Sequence, residues 1–319
     1  MIQYLYLGRV DYAEALRLQQ ELVALRTAGR IGNVLLLLEH PPVLTLGRNA
    51  KRANILASDE LLAARGVTLH EINRGGDVTY HGPGQLIGYP IFDLRSLRNP
   101  KSGGTGTTGD CSVAAGRRLG PVDFVRLMEE ALIRLCGEFG VATGRICGLT
   151  GVWCGLAEPQ ISSEGLRCEA PAKTPLPVRG ERKIAAIGIH VARGVTSHGF
   201  AFNVTTDLRD FALINPCGIT DRPVTSLERE VADAKDLPTL ESLAHRSARQ
   251  FGEVFDEPIE FVESLGALRA TAEAAPDSSA PGSSAGEFPA QEFPANDTPL
   301  AIPPEIERLR RSKDRPISV

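Results

Sequence analysis

The chain has 319 residues, 42% of them hydrophobic and 23% charged, with a formal net charge of −4. That balance allows a proper core in one large domain or two smaller ones, and it lacks the broad basic surface that general nucleic-acid binding needs. No apolar run approaches the roughly 18 residues of a membrane span. Met1–Tyr6 shows no secretory pattern, and the six cysteines show no paired spacing, so a cytoplasmic chain with reduced thiols is expected.

Gln3–Leu7 reads as a first strand. Asp11 can cap a helix that carries Leu18, Leu22 and Leu25 on one face and ends near Gly29. Val34–Leu38 reads as a buried strand stopped by Pro41-Pro42, and Leu61–Arg65 as helical. Arg74–Leu86 is a glycine-rich loop that runs into a strand over Leu86–Leu94. Asn99–Gly120, rich in Gly, Ser and Thr, reads as an inserted loop. A helix follows from about Pro121 to Phe139, with Phe124, Leu127, Ala131 and Leu135 on one face and Gly140 past its end. Val152–Cys154 and Lys183–Val191 read as paired strands around a second insertion at about 155–181. Phe200–Val204 is another strand, Leu240–Val254 a late helix, and Ile259–Val262 a last strand.

After about Thr271 the composition turns to Ala, Pro, Ser and Gly, and Glu-Phe-Pro-Ala occurs twice. Such a segment buries too little apolar area to offset the entropy of ordering it, so a disordered tail over 271–319 is expected behind a domain at 1–270. Its two phenylalanines could alternatively form a docking peptide. The interleaved strands and helices indicate a single α/β-type domain.

Several residues carry candidate chemistry. Glycines at 75, 76, 82 and 84, with Pro83, crowd around Arg74 and His81, which suggests backbone closely approaching a ligand. Cys217 sits in Asn215-Pro216-Cys217-Gly218, a loop context. It is either a nucleophile whose thiolate a nearby ammonium would favour, or a small buried hydrophobe. Lys183 heads an apolar strand in which Ala185, Ala186 and Gly188 leave room for a ligand. It is either a solvated lysine or a cation that lowers a thiol's pKa. His81 could hydrogen-bond a substrate carbonyl or a loop carbonyl, and Phe200 in His198-Gly199-Phe200-Ala201 could wall an apolar slot or fill the core. Cys136 and Cys154 read as fillers, and Cys147 stays open. There is no Walker phosphate loop, no Gly-x-Ser-x-Gly elbow and no Cys-x-x-Cys pair, so no phosphate-loop site, serine elbow or metal site is expected.

The motifs Arg74–Leu86, Lys183–Gly188, His198–Val204 and Pro216-Cys217-Gly218-Ile219, in that order, resemble the lipoyl(octanoyl) transferases of the biotin/lipoate protein ligase fold. Thr45-Leu46-Gly47-Arg48, Thr150-Gly151-Val152-Trp153 and Thr225-Ser226-Leu227 look like that family too, and the similarity spans about Tyr4–Gln250. The resemblance implies an α+β fold with a mixed sheet flanked by helices. It implies transfer of an octanoyl group from octanoyl-acyl carrier protein to a lysine of lipoyl domains, in 2-oxoacid dehydrogenases and the glycine cleavage H protein. No cofactor, metal, nucleic acid or membrane is implied. Cys217 would be the acyl-thioester nucleophile and Lys183 the group that lowers its pKa. Arg74, Gly75, Gly76, Asp77, Val78, Thr79, Tyr80 and His81 would line the acyl site with Ala186, Ile187, Gly188, Gly199, Phe200 and Ala201, Asp77 having no role of its own. Arg48, Lys51 and Arg52 form a small basic group that could either meet the acidic carrier or be a solvated surface patch. The competing readings are an ATP-dependent lipoate or biotin ligase, a lipoyl-domain amidotransferase, and a non-enzymatic acyl-binding module.

Overall fold

The computed structural model describes residues 1–98, 100, 118–156, 180–215 and 222–274. Strand β1 (Ile2–Arg9) leads into helix α1 (Tyr12–Thr27), whose N-cap Asp11 carboxylate accepts from the N–H groups of Ala13 and Glu14. There follow β2 (Asn33–Glu39), β3 (Val43–Leu46), α2 (Asp59–Ala64), β4 (Thr68–Glu71), β5 (Val78–His81) and β6 (Gln85–Ile91). Then come α3 (Pro121–Gly137), β7 (Thr143–Gly144), β8 (Val152–Cys154), β9 (Arg182–Ala192) and β10 (Val195–Asn203). The short α4 (Leu227–Glu230), α5 (Leu240–Phe255), β11 (Ile259–Phe261) and α6 (Leu265–Ala274) complete the described chain.

Eight strands form one mixed sheet in the order β11-β1-β2-β6-β10-β9-β8-β7, and β4-β3-β5 form a second, small sheet. In the large sheet β1 runs parallel to both β11 and β2, and the other pairs are antiparallel. Helices cover both faces. Leu35 and Leu37 of β2 pack toward α3 and α5, while Val34, Leu36 and Leu38 pack toward α1 and α6. A strand covered on both sides has no polar face, which is why β2 is a continuous apolar run. The expected mixed sheet flanked by helices is therefore present.

Several elements differ from expectation. Strands β3, β4, β5 and β7 and the short α4 are additional to the expected elements, and β5 turns the middle of the glycine-rich loop, Val78–His81, into a strand. Strand β4 is largely exposed, so it lacks the apolar alternation by which a strand is recognised. Helix α6 runs through Ala274, beyond the expected domain end at residue 270, because Leu268 and Ala272 lie four apart and pack onto the α1 side. Of the expected insertions, residues 99, 101–117 and 157–179 lie outside the described residues, as do 275–319 of the expected tail. The first insertion leaves and returns through an antiparallel bridge between Arg98 and Arg118.

Candidate active site

The central strands and the glycine loop together line a cavity. In the β9–β10 ladder Gly188 faces Gly199, Ile187 faces Phe200 and Ala186 faces Ala201. The loop ahead of β5 folds over them, and the Gly75 N–H donates to the Ile189 carbonyl at 3.0 Å. A Cβ at residue 188 would stand 2.8 Å from the Gly75 carbonyl oxygen, so glycine is what lets the two backbones approach. The loop is fixed from below, where the N–H groups of Gly47, Arg48 and Asn49 donate to the carbonyls of Asp77, Arg74 and Gly76. The cavity measures about 360 Å³, the size of a small-molecule site.

Twelve of the expected residues line this cavity: Arg74, Gly75, Gly76, Thr79, His81, Lys183, Ala186, Ile187, Gly188, Gly199, Phe200 and Ala201. Asp77, Val78 and Tyr80 do not, and strand alternation explains two of the three. Thr79 and His81 face the cavity, whereas Val78 and Tyr80 pack with Leu44, Leu62 and Leu213 in a separate small core. The Tyr80 hydroxyl donates to Asp210 at 2.8 Å. The Asp77 carboxylate accepts from the Val78 N–H and from the Asn54 side chain, so it ties the loop to its neighbour. Of the run 74–81, Asp77, Val78 and Tyr80 therefore stand behind the cavity wall.

Cys217 and its motif 216–219 lie outside the described residues. Their flanks are placed. The Asn215 N–H donates to the Asn54 carbonyl at 2.7 Å. On the other side, the Lys183 N–H donates to the Pro223 carbonyl and the Thr225 N–H to the Lys183 carbonyl, both at 2.9 Å. The backbone that follows Cys217 is thus hydrogen-bonded to Lys183, whose ammonium lies 4.6 Å from the centroid of the Trp153 ring.

The polar groups of the cavity are tightly held. The buried Arg74 guanidinium donates to the Thr45 carbonyl at 2.8 Å and to the Thr45 hydroxyl at 3.0 Å. His81 Nδ1 pairs with Gln85 Oε1 at 2.8 Å and therefore carries the proton, leaving Nε2 toward the Thr45 hydroxyl at 3.5 Å. Burial, then the neighbouring His40, push the His81 imidazolium down to about 3. Burial, then Arg74, do the same to His198, also to about 3. Both rings are neutral at physiological pH, and so acidic a conjugate acid makes His81 a poor proton acceptor. His198 also adopts φ 56° and hydrogen-bonds Asn73 at 2.8 Å.

Other positioning residues went unnoticed in the sequence. The Gln85 side-chain amide donates to Asn203 Oδ1 at 2.8 Å, and the Asn203 amide donates to the Thr225 carbonyl at 2.9 Å. That relay connects the glycine loop to the segment after Cys217. Its signal was a polar residue at the end of each of two apolar strands. Glu129, fully buried on α3, accepts from the Gly151 N–H at 2.9 Å and pairs with Arg126 and Arg145. It anchors the 148–150 wall of the cavity. Tyr12 and Tyr89 also line the cavity, and the Tyr89 hydroxyl donates to His40 at 2.7 Å. Burial raises the Cys136 thiol strongly and the Cys154 thiol to about 12, so both are inert fillers. Among the described residues no cluster of His, Cys, Asp and Glu could hold a metal ion.

The chain is similar to known proteins over most of its length. The lipoyl protein ligase A/B catalytic domain matches residues 11–252. An octanoyltransferase of Acidobacterium capsulatum is 57% identical over 268 residues, covering 84% of this chain and 96% of that protein. One from Koribacter versatilis is 51% identical, covering 86% of this chain and 93% of that protein. A solved chain from the Thermoplasma acidophilum lipoylation system, a bipartite lipoate protein ligase and its E2 lipoyl domain, shares the fold. It aligns with TM-score 0.51 at 15% identity over 85% of this chain and 90% of its own. The chain belongs to the lipoyl protein ligase A/B catalytic family, as an acyltransferase within it.

Proposed function

We propose that this enzyme moves an octanoyl group from octanoyl-acyl carrier protein to the target lysine of lipoyl domains, through a thioester on Cys217. The recipients are the lipoyl domains of 2-oxoacid dehydrogenases and the glycine cleavage H protein, and the setting is cytoplasmic. The observation that carries the reading is the apolar cavity roofed by the glycine loop with Lys183 on its wall. Two relatives above 50% identity that bear the name octanoyltransferase supply the acyl group. The ligase-like solved chain matches at only 15% identity and speaks for the fold alone.

The chemistry divides into two displacements. The Cys217 thiolate attacks the carbonyl carbon of the carrier thioester, the oxyanion is held by backbone N–H groups of the glycine-rich wall, and the carbon–sulfur bond to the carrier breaks. The departing thiolate takes a proton from the Lys183 ammonium. The lysine amine of the lipoyl domain then gives its proton to Lys183 and attacks the enzyme thioester. A carbon–nitrogen bond forms, the bond to Cys217 sulfur breaks, and the thiolate is restored. Thioester exchange is nearly isoenergetic and amide formation is downhill, so neither ATP nor a metal takes part. His81, neutral and hydrogen-bonded to Gln85, shapes the site and leaves proton transfer to Lys183.

Intact-protein mass spectrometry after mixing with octanoyl-carrier protein tests the first half. One octanoyl group should be added to the wild-type chain, none to Cys217→Ser, and the adduct should form slowly in Lys183→Ala. An adduct that persists in Cys217→Ser would exclude Cys217 as the nucleophile.

A further inference from the structure

Lys183 is held from two sides by the strand that pairs with it. Strand β8 meets β9 with a register shift, so that Val152 lies opposite Ala185 and Trp153 opposite Lys183. A regular ladder would set Trp153 against Ile184, whose side chain belongs to the opposite face and packs in the main core. The irregularity brings the Trp153 indole and the Lys183 side chain onto one face. There the ammonium lies 4.6 Å from the ring centroid, inside the reach of about 6 Å over which an aromatic face attracts a cation. Trp153 is 1% exposed, so its ring is a fixed platform. Gly151 forms the other side. A Cβ there would stand 3.4 Å from Lys183 Cε, 3.6 Å from Cδ and 2.6 Å from the Ala185 carbonyl oxygen. Its N–H is held by Glu129.

The Trp153 face is an uncharged partner for the Lys183 cation, set beside the ion pairs of Arg182 with Glu230, Arg222 with Glu181, and Glu129 with Arg126 and Arg145.

We infer that Gly151 and Trp153 form a clamp that fixes the Lys183 side chain and holds its ammonium over the indole, making Trp153 a positioning residue for acyl transfer. The inference rests on the proposed role of Lys183 beside Cys217. An aromatic face favours the charged amine, and the charged amine is the form that lowers a thiol's pKa and supplies a proton to a leaving thiolate. Without the ring, a four-carbon stem regains its other rotamers.

The test uses the full chain as wild type, Trp153→Leu and Trp153→Phe, each verified as folded by circular dichroism. Two quantities are read from pH 6 to 9: alkylation of the Cys217 peptide by iodoacetamide, resolved by peptide mass spectrometry, and octanoyl loading from octanoyl-carrier protein. In Trp153→Leu the alkylation midpoint should rise by about one pH unit and loading at neutral pH should slow about tenfold, with the dependence on donor concentration unchanged. Trp153→Phe, which keeps an aromatic face, should recover most of both. Trp153→Met carries the same test should Trp153→Leu fail to fold. A wild-type midpoint and loading rate in the non-aromatic variant would overturn the clamp. So would a phenylalanine variant as impaired as the leucine one, since bulk rather than the ring face would then be what matters. A wild-type chain that accepts no octanoyl group would instead overturn the functional reading, and the alkylation titration would still decide the clamp.

Discussion

Contact between the backbones at Gly188 and Gly75 sets the width of the cavity. In Gly188→Ala the new methyl meets the Gly75 carbonyl oxygen at 2.8 Å, closer than real Cβ contacts allow, so the loop must lift from β9. Overpacking of this kind costs about 1–3 kcal/mol, and the displaced roof should reduce octanoyl loading by roughly tenfold or more, since that strain equals one or two decades in rate. Loading at the wild-type rate would show that the roof does not shape the acyl slot. Gly188, Lys183 and Phe200 were legible in the sequence because small residues next to a charge or an aromatic ring stand out in a strand. The division of 74–81 was not, because Gly75 and Gly76 mask the point where β5 begins and alternation sets in. Gln85, Asn203 and Glu129 escaped notice because a buried hydrogen bond links residues remote in sequence: Gln85 and Asn203 are 118 positions apart.

At the scale of elements, α3 does more than cover the sheet. Its Glu129 holds the entry to β8 by one backbone N–H and two arginines. Breaking a buried pair strands the remaining charges at a cost of about 3–5 kcal/mol. Glu129→Gln keeps the shape and one acceptor oxygen, so it should lose about 3 kcal/mol, read as a lower urea midpoint with an unchanged slope. An unaltered midpoint would mean that Arg126 and Arg145 find water instead. The long elements were readable from local signals: Asp11 capping α1, Pro121 opening α3, and the apolar stripe of α5. The short ones were not. β3 spans four residues behind Pro41-Pro42, β4 is mostly exposed, and both acquire strand geometry only by pairing, β4 with β3 and β3 also with β5. α6 was hidden by alanines that resemble the composition of the tail until Leu268 and Ala272 are seen against the sheet.

The whole molecule carries a stability signature from its buried histidines. Burial is the leading cause that lowers His40 to about 4 and both His81 and His198 to about 3, against about 6.5 in the unfolded chain. Between those values the unfolded chain binds more protons, so stability is complete at neutral pH and is lost as pH falls below about 6.5. Each histidine should remove about 1.4 kcal/mol per pH unit in that window. Urea unfolding at pH 7.5 and 5.5 should therefore show a loss of several kcal/mol, and equal stabilities would mean that these rings are protonated in the folded state. Chain length gives a second check. A chain ending at Ala274 should fold and turn over like the full one. Ending it at Ser264 removes Leu268 and Ala272 from the core and should lower the melting temperature by several degrees. Equal melting temperatures would deny α6 a place in the core.

Passage of the acyl group through a covalent enzyme intermediate is the step on which the proposed reaction depends. Octanoyl-enzyme freed of carrier protein and mixed with an unmodified lipoyl domain, without ATP, measures this in a single turnover. The octanoyl mass should leave Cys217 and appear on the domain lysine in equal amount. An adduct that stays on the enzyme, or transfer that occurs only when ATP and free octanoate are supplied, would contradict the proposed reaction.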